Sequence, residues 1–303
     1  IGVAGVWFSL RFLRNHVEPS VGGFDIPGFL LSGVGLALLL FGMAEGPVRG
    51  WSSPLVVLCL SSAVIAIAAL ITVEQRVKAP MLNLNLFRDR SFRTPNIVSF
   101  LSFGSLIGMF FLLPQFLQGP AGYSPFESGL VTAPQALGVI ISARLAGTVL
   151  YPRLGPRRLA MAGMAWTGLM TAAFYWIEID TSPWWIRLLM MSRGLGMGAS
   201  FIPLQAAAFA QIPGPKSGQA SALYSAQRQA GAAVGVAVLA TLLIERRDAL
   251  VGTLTGASAV PKLVDAFHQA MLGAALMAII GVVAASFIHD SDAAPTMVRR
   301  KPG

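Results

Sequence analysis

YPRLGPRR, from Tyr151 to Arg158, packs three arginines and a Gly-Pro break into eight residues, with no acidic residue among them. An apolar run lies on each side, at approximately 126–150 and 158–177. Each is long enough to cross a bilayer as a helix, which takes about 20 residues. A short basic turn between two such runs predicts a membrane hairpin whose cations keep the turn on the cytoplasmic face. The same alternation of apolar run and short polar turn extends through the whole chain.

Composition agrees. Hydrophobic residues make up 55% of the 303 residues and charged residues 12%, against roughly 25% charged in a soluble domain. Mean hydropathy is +0.68. There is too little polar material to cover a globule, so the lipid bilayer is the expected partner for much of the surface. The net charge of +9 does not point to nucleic acid, because the cations sit in short turns and form no stripe with interleaved aromatics. Cys59, the single cysteine, has no intrachain disulfide partner and no metal-ligand spacing around it.

Eight apolar runs follow a partial one at 1–13: 26–44, 53–73, 95–118, 126–150, 158–177, 185–210, 219–244 and 266–288. Period-two alternation is absent, so the fold class is all-α integral membrane and a barrel is not expected. The opening IGVAGVWFSLRFLR has its charge after the apolar stretch and no cleavage site, unlike a signal peptide. It reads as the end of a truncated membrane helix, and the chain as a fragment lacking its N-terminal part. With the segment after that helix set on the cytoplasmic side, fourteen of the 22 Lys and Arg fall on that side and five on the other. This bias places the tail 289–303, with Arg299, Arg300 and Lys301, in the cytoplasm. The basic cytoplasmic linker 74–94, holding Arg76, Lys78, Arg88, Arg90 and Arg93, carries Met81, Leu82, Leu84, Leu86 and Phe87. These suggest a short helix lying on the membrane surface. The segment 245–265 is expected as the longest external loop.

Three arginines fall inside spans. Arg144 lies near a span end, where snorkelling accounts for it. Arg193 and Arg228 lie deeper, where a charge faces either a wet cavity and a neighbouring helix or backbone carbonyls. No Asp or Glu accompanies them at depth. Gln115, Gln135 and Gln205 donate and accept without a charge, and suit either a substrate pocket or contacts between helices. Phe100, Phe103, Met109 and Phe110 offer an adaptable apolar wall. His16, His268 and His289 share no ligand spacing, so neither catalysis nor a metal site is expected. Gly104–Gly108, Gly194–Gly198 and Gly231–Gly235 are G-x-x-x-G pairs that permit close helix packing. Pro114, Pro134 and Pro203 interrupt spans as kinks or bending points.

Four segments, in this order and spacing, carry a family resemblance: LFRDRSF, LLPQFLQGPAGYSPFESGLVTAPQALG, YPRLGPRR and SGQASALYSAQRQAGAAVGVAVLATLL. Together they resemble the major facilitator superfamily, most closely its 14-helix drug:proton antiporters of the EmrB/QacA type. The resemblance covers essentially the whole chain. It implies that 26–73 holds the two extra central spans and that 95–288 is the C-terminal six-helix half-bundle. It also implies a place in the cell membrane. YPRLGPRR, with Gly147 ahead of it, is similar to the superfamily's gating-loop signature, in which an Asp precedes basic residues around a glycine. Tyr151 stands at the Asp position, while Arg153, Gly155, Arg157 and Arg158 keep the rest. The resemblance therefore implies a weakened latch here. It implies proton-coupled efflux of hydrophobic or cationic drugs by alternating access. The proton gradient is the energy source, no cofactor is needed, and the missing N-terminal half of the same protein is the partner and holds the proton-carrying carboxylate. Arg193, Arg228, Gln115, Gln135 and Gln205 are the expected substrate-cavity positions. An exporter of one metabolite or antibiotic on the same fold, or a non-functional truncated relic, are the alternatives.

Overall fold

The computed structural model describes residues 2–12, 25–76, 82–252 and 254–297. Arg14, His16, Lys78, Met81, Arg299, Arg300 and Lys301 lie outside the described residues. All regular structure among the described residues is helical: α1 (Gly2–Phe12), α2 (Ile26–Arg49), α3 (Pro54–Glu74), α4 (Arg90–Gln118), α5 (Pro125–Thr132), α6 (Pro134–Leu145), α7 (Tyr151–Ala172), α8 (Pro183–Phe209), α9 (Ser217–Val251), α10 (Ala259–Ala285) and the short α11 (Ala294–Met297). Many starts carry their signals in the sequence. Proline occupies the first turn of α2, α3, α5, α6, α7 and α8, where its missing N–H goes unneeded. Ser124 and Glu127 close a capping box on α5.

Among the described residues, five helical segments are long and apolar enough to cross a membrane: α2, α3, α4, α10 and a 52-residue stretch, Pro125–Trp176. That stretch is the hairpin of two expected spans, folded back on itself at Gly155, where φ is 75° and ψ 168°. α8 and α9, expected as spans, have the length at 27 and 35 residues but are not among these five.

The bundle is assembled on glycine seams. α4 packs on α9, and α8 packs on both α6 and α7. A Cβ on Gly104 would stand 3.1 Å from the Gly231 carbonyl and 3.5 Å from the Gly235 Cα, so the G-x-x-x-G pairs of α4 and α9 mesh backbone to backbone. Gly194 and Gly198 press in the same way on Gln135 and Val139 of α6. Such seams let helices approach until main-chain atoms touch, which is the main source of association once lipid removes the hydrophobic drive. Away from the basic turn, Leu112, Leu113, Phe116, Phe174, Met190 and Phe267 fill the core. His268 is buried there, with Nε2 2.8 Å from the Ile177 carbonyl. α2 and α3 form a hairpin, and α2 leans on α9.

Two expected segments differ. Among the described residues of the linker, the expected surface helix is not seen. Leu82 is buried in a cluster with Leu70, Phe92, Ala220, Leu223 and Tyr224, its N–H donates to Glu74 Oε1 at 2.9 Å, and Leu84–Arg88 makes only a five-residue 3₁₀ turn. Leu82 thus turns inward, packed among residues of α3, α4 and α9. The expected loop 245–265 is also shorter, because α9 runs through Glu245, Arg246, Arg247 and Asp248 to Val251, and stops at Gly252, where φ turns to 50°.

Candidate functional site

α8 carries Arg193 in its middle turns, fully buried. Its Nε donates to Thr171 Oγ1 of α7 at 2.8 Å, Nη1 to Gln135 Oε1 of α6 at 3.3 Å, and Nη2 to the Ser105 carbonyl of α4 at 3.1 Å. Gln135, 2% exposed, spends its amide on Met197 Sδ at 3.1 Å. These two expected cavity residues therefore lie inside the bundle and meet each other. The glycine seam between α6 and α8 leaves no gap through which either side chain reaches an open wall. The planar guanidinium, with donors pointing several ways, ties four helices.

Arg228 is placed differently. It lies half-buried on α9 with its guanidinium carbon 3.8 Å from the centre of the Phe103 ring on α4 and 5.6 Å from that of Tyr224. Phe103 stacks in turn on Phe201 of α8, with centroids 4.9 Å apart and planes 20° apart. Gln205, one turn beyond Phe201 on the same helix face, is exposed. The Tyr224 and Ser99 hydroxyls, 3.0 Å apart, brace α9 against α4. A cation over an aromatic ring is held by the ring's quadrupole. The result is a partly open face with a flat aromatic surface, one cation and one amide. Phe201 was not legible in advance, since nothing in an apolar run distinguishes one Phe from its neighbours.

Gln115 belongs to a third place. It is exposed near the end of α4 and lines a cavity of about 600 Å³ between α2, α4, α9 and α10, along with Phe111, Pro47, Leu243, Phe267 and Arg247. The five expected cavity positions thus divide between an interior knot, an aromatic face and a groove beside α2. Arg144 is exposed near the end of α6.

The basic turn is more helical than a loop. Ala146–Leu150 forms a π-turn, with the Tyr151 N–H donating to the Ala146 carbonyl. Gly147 is exposed on it. Helical geometry continues to Gly155, and Pro156 opens the next stretch. Arg153, Arg157 and Arg158 are exposed. Tyr151 is 4% exposed, and its hydroxyl lies 2.6 Å from Thr296 Oγ1. Burial pushes that phenol above its ordinary pKa. The turn does have a carboxylate: Asp290 Oδ1 accepts the Arg157 N–H at 2.9 Å. It stands at the start of a helix, where negative charge is favoured, and comes from 133 positions further along the chain.

Residues 18–236 match the Major Facilitator Superfamily. The chain belongs to that superfamily. Among its curated relatives are an uncharacterized MFS-type transporter, YhcA, of Bacillus subtilis, 30% identical over 246 residues, covering 81% of this chain and 46% of the relative. Another is the multidrug resistance protein Stp of Mycobacterium tuberculosis, 30% identical over 246 residues, 80% of this chain and 45% of the relative. A third is the puromycin resistance protein pur8 of Streptomyces alboniger, 32% identical over 221 residues, 72% of this chain and 44% of the relative. The chain spans about half the length of these relatives.

Superfamily membership and the apolar helices make this a multi-pass membrane protein. In this superfamily member, the matched region 18–236 takes in the interior knot, Arg228 with its aromatic partners and the basic turn. Among the described residues no three His, Cys, Asp or Glu side chains come together as metal ligands would.

Proposed function

We propose that this chain is the substrate-handling bundle of a proton-coupled exporter of hydrophobic or cationic drugs and toxic compounds, of the 14-helix EmrB/QacA type. The bundle works in the cell membrane by rocking against a second half of the transporter around a midplane site. The tail lies on the cytoplasmic side. The observation that carries this reading is the Arg228–Phe103–Phe201 stack on a partly open face shared by α4, α8 and α9. Flat apolar rings with few fixed polar groups bind molecules by shape and area, which suits a site that accepts several compounds. The names of the multidrug and antibiotic resistance relatives support the same direction. Arg228 favours aromatic ring faces, so a cationic compound would meet this face through its flat apolar part, with its charge held away from the guanidinium. Gln135 and Arg193 serve it from behind, by fixing how α6 and α8 stand.

The test is transport by the native-length protein in a host stripped of its own exporters, with a panel of hydrophobic dyes and antibiotics. Export of several unrelated compounds that stops when a protonophore collapses the pH gradient supports the proposal. Export of a single compound points to a dedicated metabolite exporter, and export that survives the protonophore removes the proton coupling.

A further inference from the structure

The segment that follows α10 carries Asp290, Asp292 and Thr296, and each meets a different part of the bundle. Asp290 reaches the basic turn, where its Oδ1 accepts the Arg157 N–H at 2.9 Å. Gly155 beside it has no room for a side chain, since a Cβ there would stand 2.7–3.1 Å from the Asp290 carboxylate. Asp292 reaches the start of α4, accepting from Arg90 Nε at 3.2 Å and from Nη2 at 3.1 Å. The Asp292 carbonyl accepts from Gln211 Nε2, just past the end of α8, at 2.9 Å. Thr296 meets Tyr151, at the close of the π-turn, at 2.6 Å. Ile288, just before these contacts, and Ala293, between them, are buried, so the segment is pinned by apolar packing as well as by polar bonds.

We propose that residues 286–297 form a clasp across this end of the bundle. Asp290 supplies the basic turn with the negative charge that its own sequence lacks, and Asp292 ties that turn to α4 and α8. The logic is electrostatic. The turn presents three arginines and the free N–H groups of a helix start, so an anion beside it is favoured by both. A two-point Arg–carboxylate pair fixes orientation as well as distance. With the clasp shut, the ends of α4, α7 and α8 move as one body. Asp290 and Asp292 touch no substrate in this scheme and are positioning residues.

The experiment is amide hydrogen exchange on the native-length protein in lipid nanodiscs. Asp290→Ala removes charge and acceptor, while Asp290→Asn keeps the acceptor. Exchange over 155–158 is expected to rise roughly tenfold in the first and less in the second, as a local hydrogen bond opens. Arg90→Asp and Asp292→Arg each free the amides of 289–297, and the double charge exchange restores their protection. A turn that stays protected in Asp290→Ala overturns the proposal. So does a double exchange no better than the worse single variant. Should either single variant fail to fold, recovery of folded protein by the double exchange supports the pairing, and no recovery refutes it. Exchange needs no substrate, so the result stands apart from what the protein transports.

Discussion

Arg193 Nε donates to Thr171 Oγ1 at 2.8 Å, so a positive charge in the middle of the bundle is held by neutral oxygens on three other helices. That arrangement makes a paradoxical ordering of variants. Arg193→Lys keeps the charge and loses the fork that serves separated acceptors, leaving a buried ammonium short of partners, at a cost of roughly 1–3 kcal/mol or more. Arg193→Met removes the charge and most of the desolvation it entails. The lysine variant is expected to melt at the lower temperature of the two in detergent. A lysine variant that melts above the methionine one would show that the charge itself, and not the fork, holds the knot.

The α4–α9 seam gives a second ordering. Gly235→Ala places a methyl against the Gly104 backbone and should destabilise by about 1–3 kcal/mol, the usual range for overpacking. Gly129→Ala in α5 meets nothing within 4 Å and should gain about 0.5–1 kcal/mol from helix propensity. Thermal midpoints of the two variants moving in the same direction would contradict the seam.

Gly155→Ala tests the fold-back. Its φ of 75° with ψ of 168° lies in a region essentially reserved for glycine, and a side chain there costs about 1–3 kcal/mol. The Asp290 carboxylate already fills the space. A lower thermal midpoint with faster proteolysis at the turn is expected.

The aromatic face is tested by Phe103→Leu and Arg228→Lys. A cation–π contact contributes about 0.5–2 kcal/mol, which corresponds to roughly 2- to 30-fold in KM for an aromatic dye if the face binds it. The thermal midpoint should change little, because both side chains are only partly buried. Unaltered dye KM in both variants would remove this face from the substrate path.

Much of the fold was legible because lipid enforces it. Each long apolar run between basic turns has few alternatives to a helix, and the G-x-x-x-G pairs announced close packing that the structure places between α4 and α9 and between α6 and α8. The site was legible only in part. A polar residue inside an apolar run signals that it has a partner, but not which helix provides it. Arg193 and Arg228 look alike in sequence, yet one is sealed by glycine seams and the other lies over Phe103. The charges of IERRDALV read as a loop, whereas helical hydrogen bonding carries on until Gly252. The carboxylate at the basic turn was out of reach, since its separation of 133 positions leaves no local spacing to read.

The π-turn at Ala146–Leu150 has a consequence for how this chain tolerates change. Such a turn holds one residue more than a regular α-turn, so everything beyond it is rotated by about 100° relative to an unbroken helix. A helical wheel drawn through 134–154 therefore assigns the wrong faces to one side of the turn. Deleting one residue from 146–150 would remove the extra residue and leave a regular α-helix, with Tyr151 still in phase to meet Thr296. A one-residue change of length at this point is thus absorbed by the turn, and variants of this chain are better aligned by the phase of Tyr151 than by counting residues from Pro134.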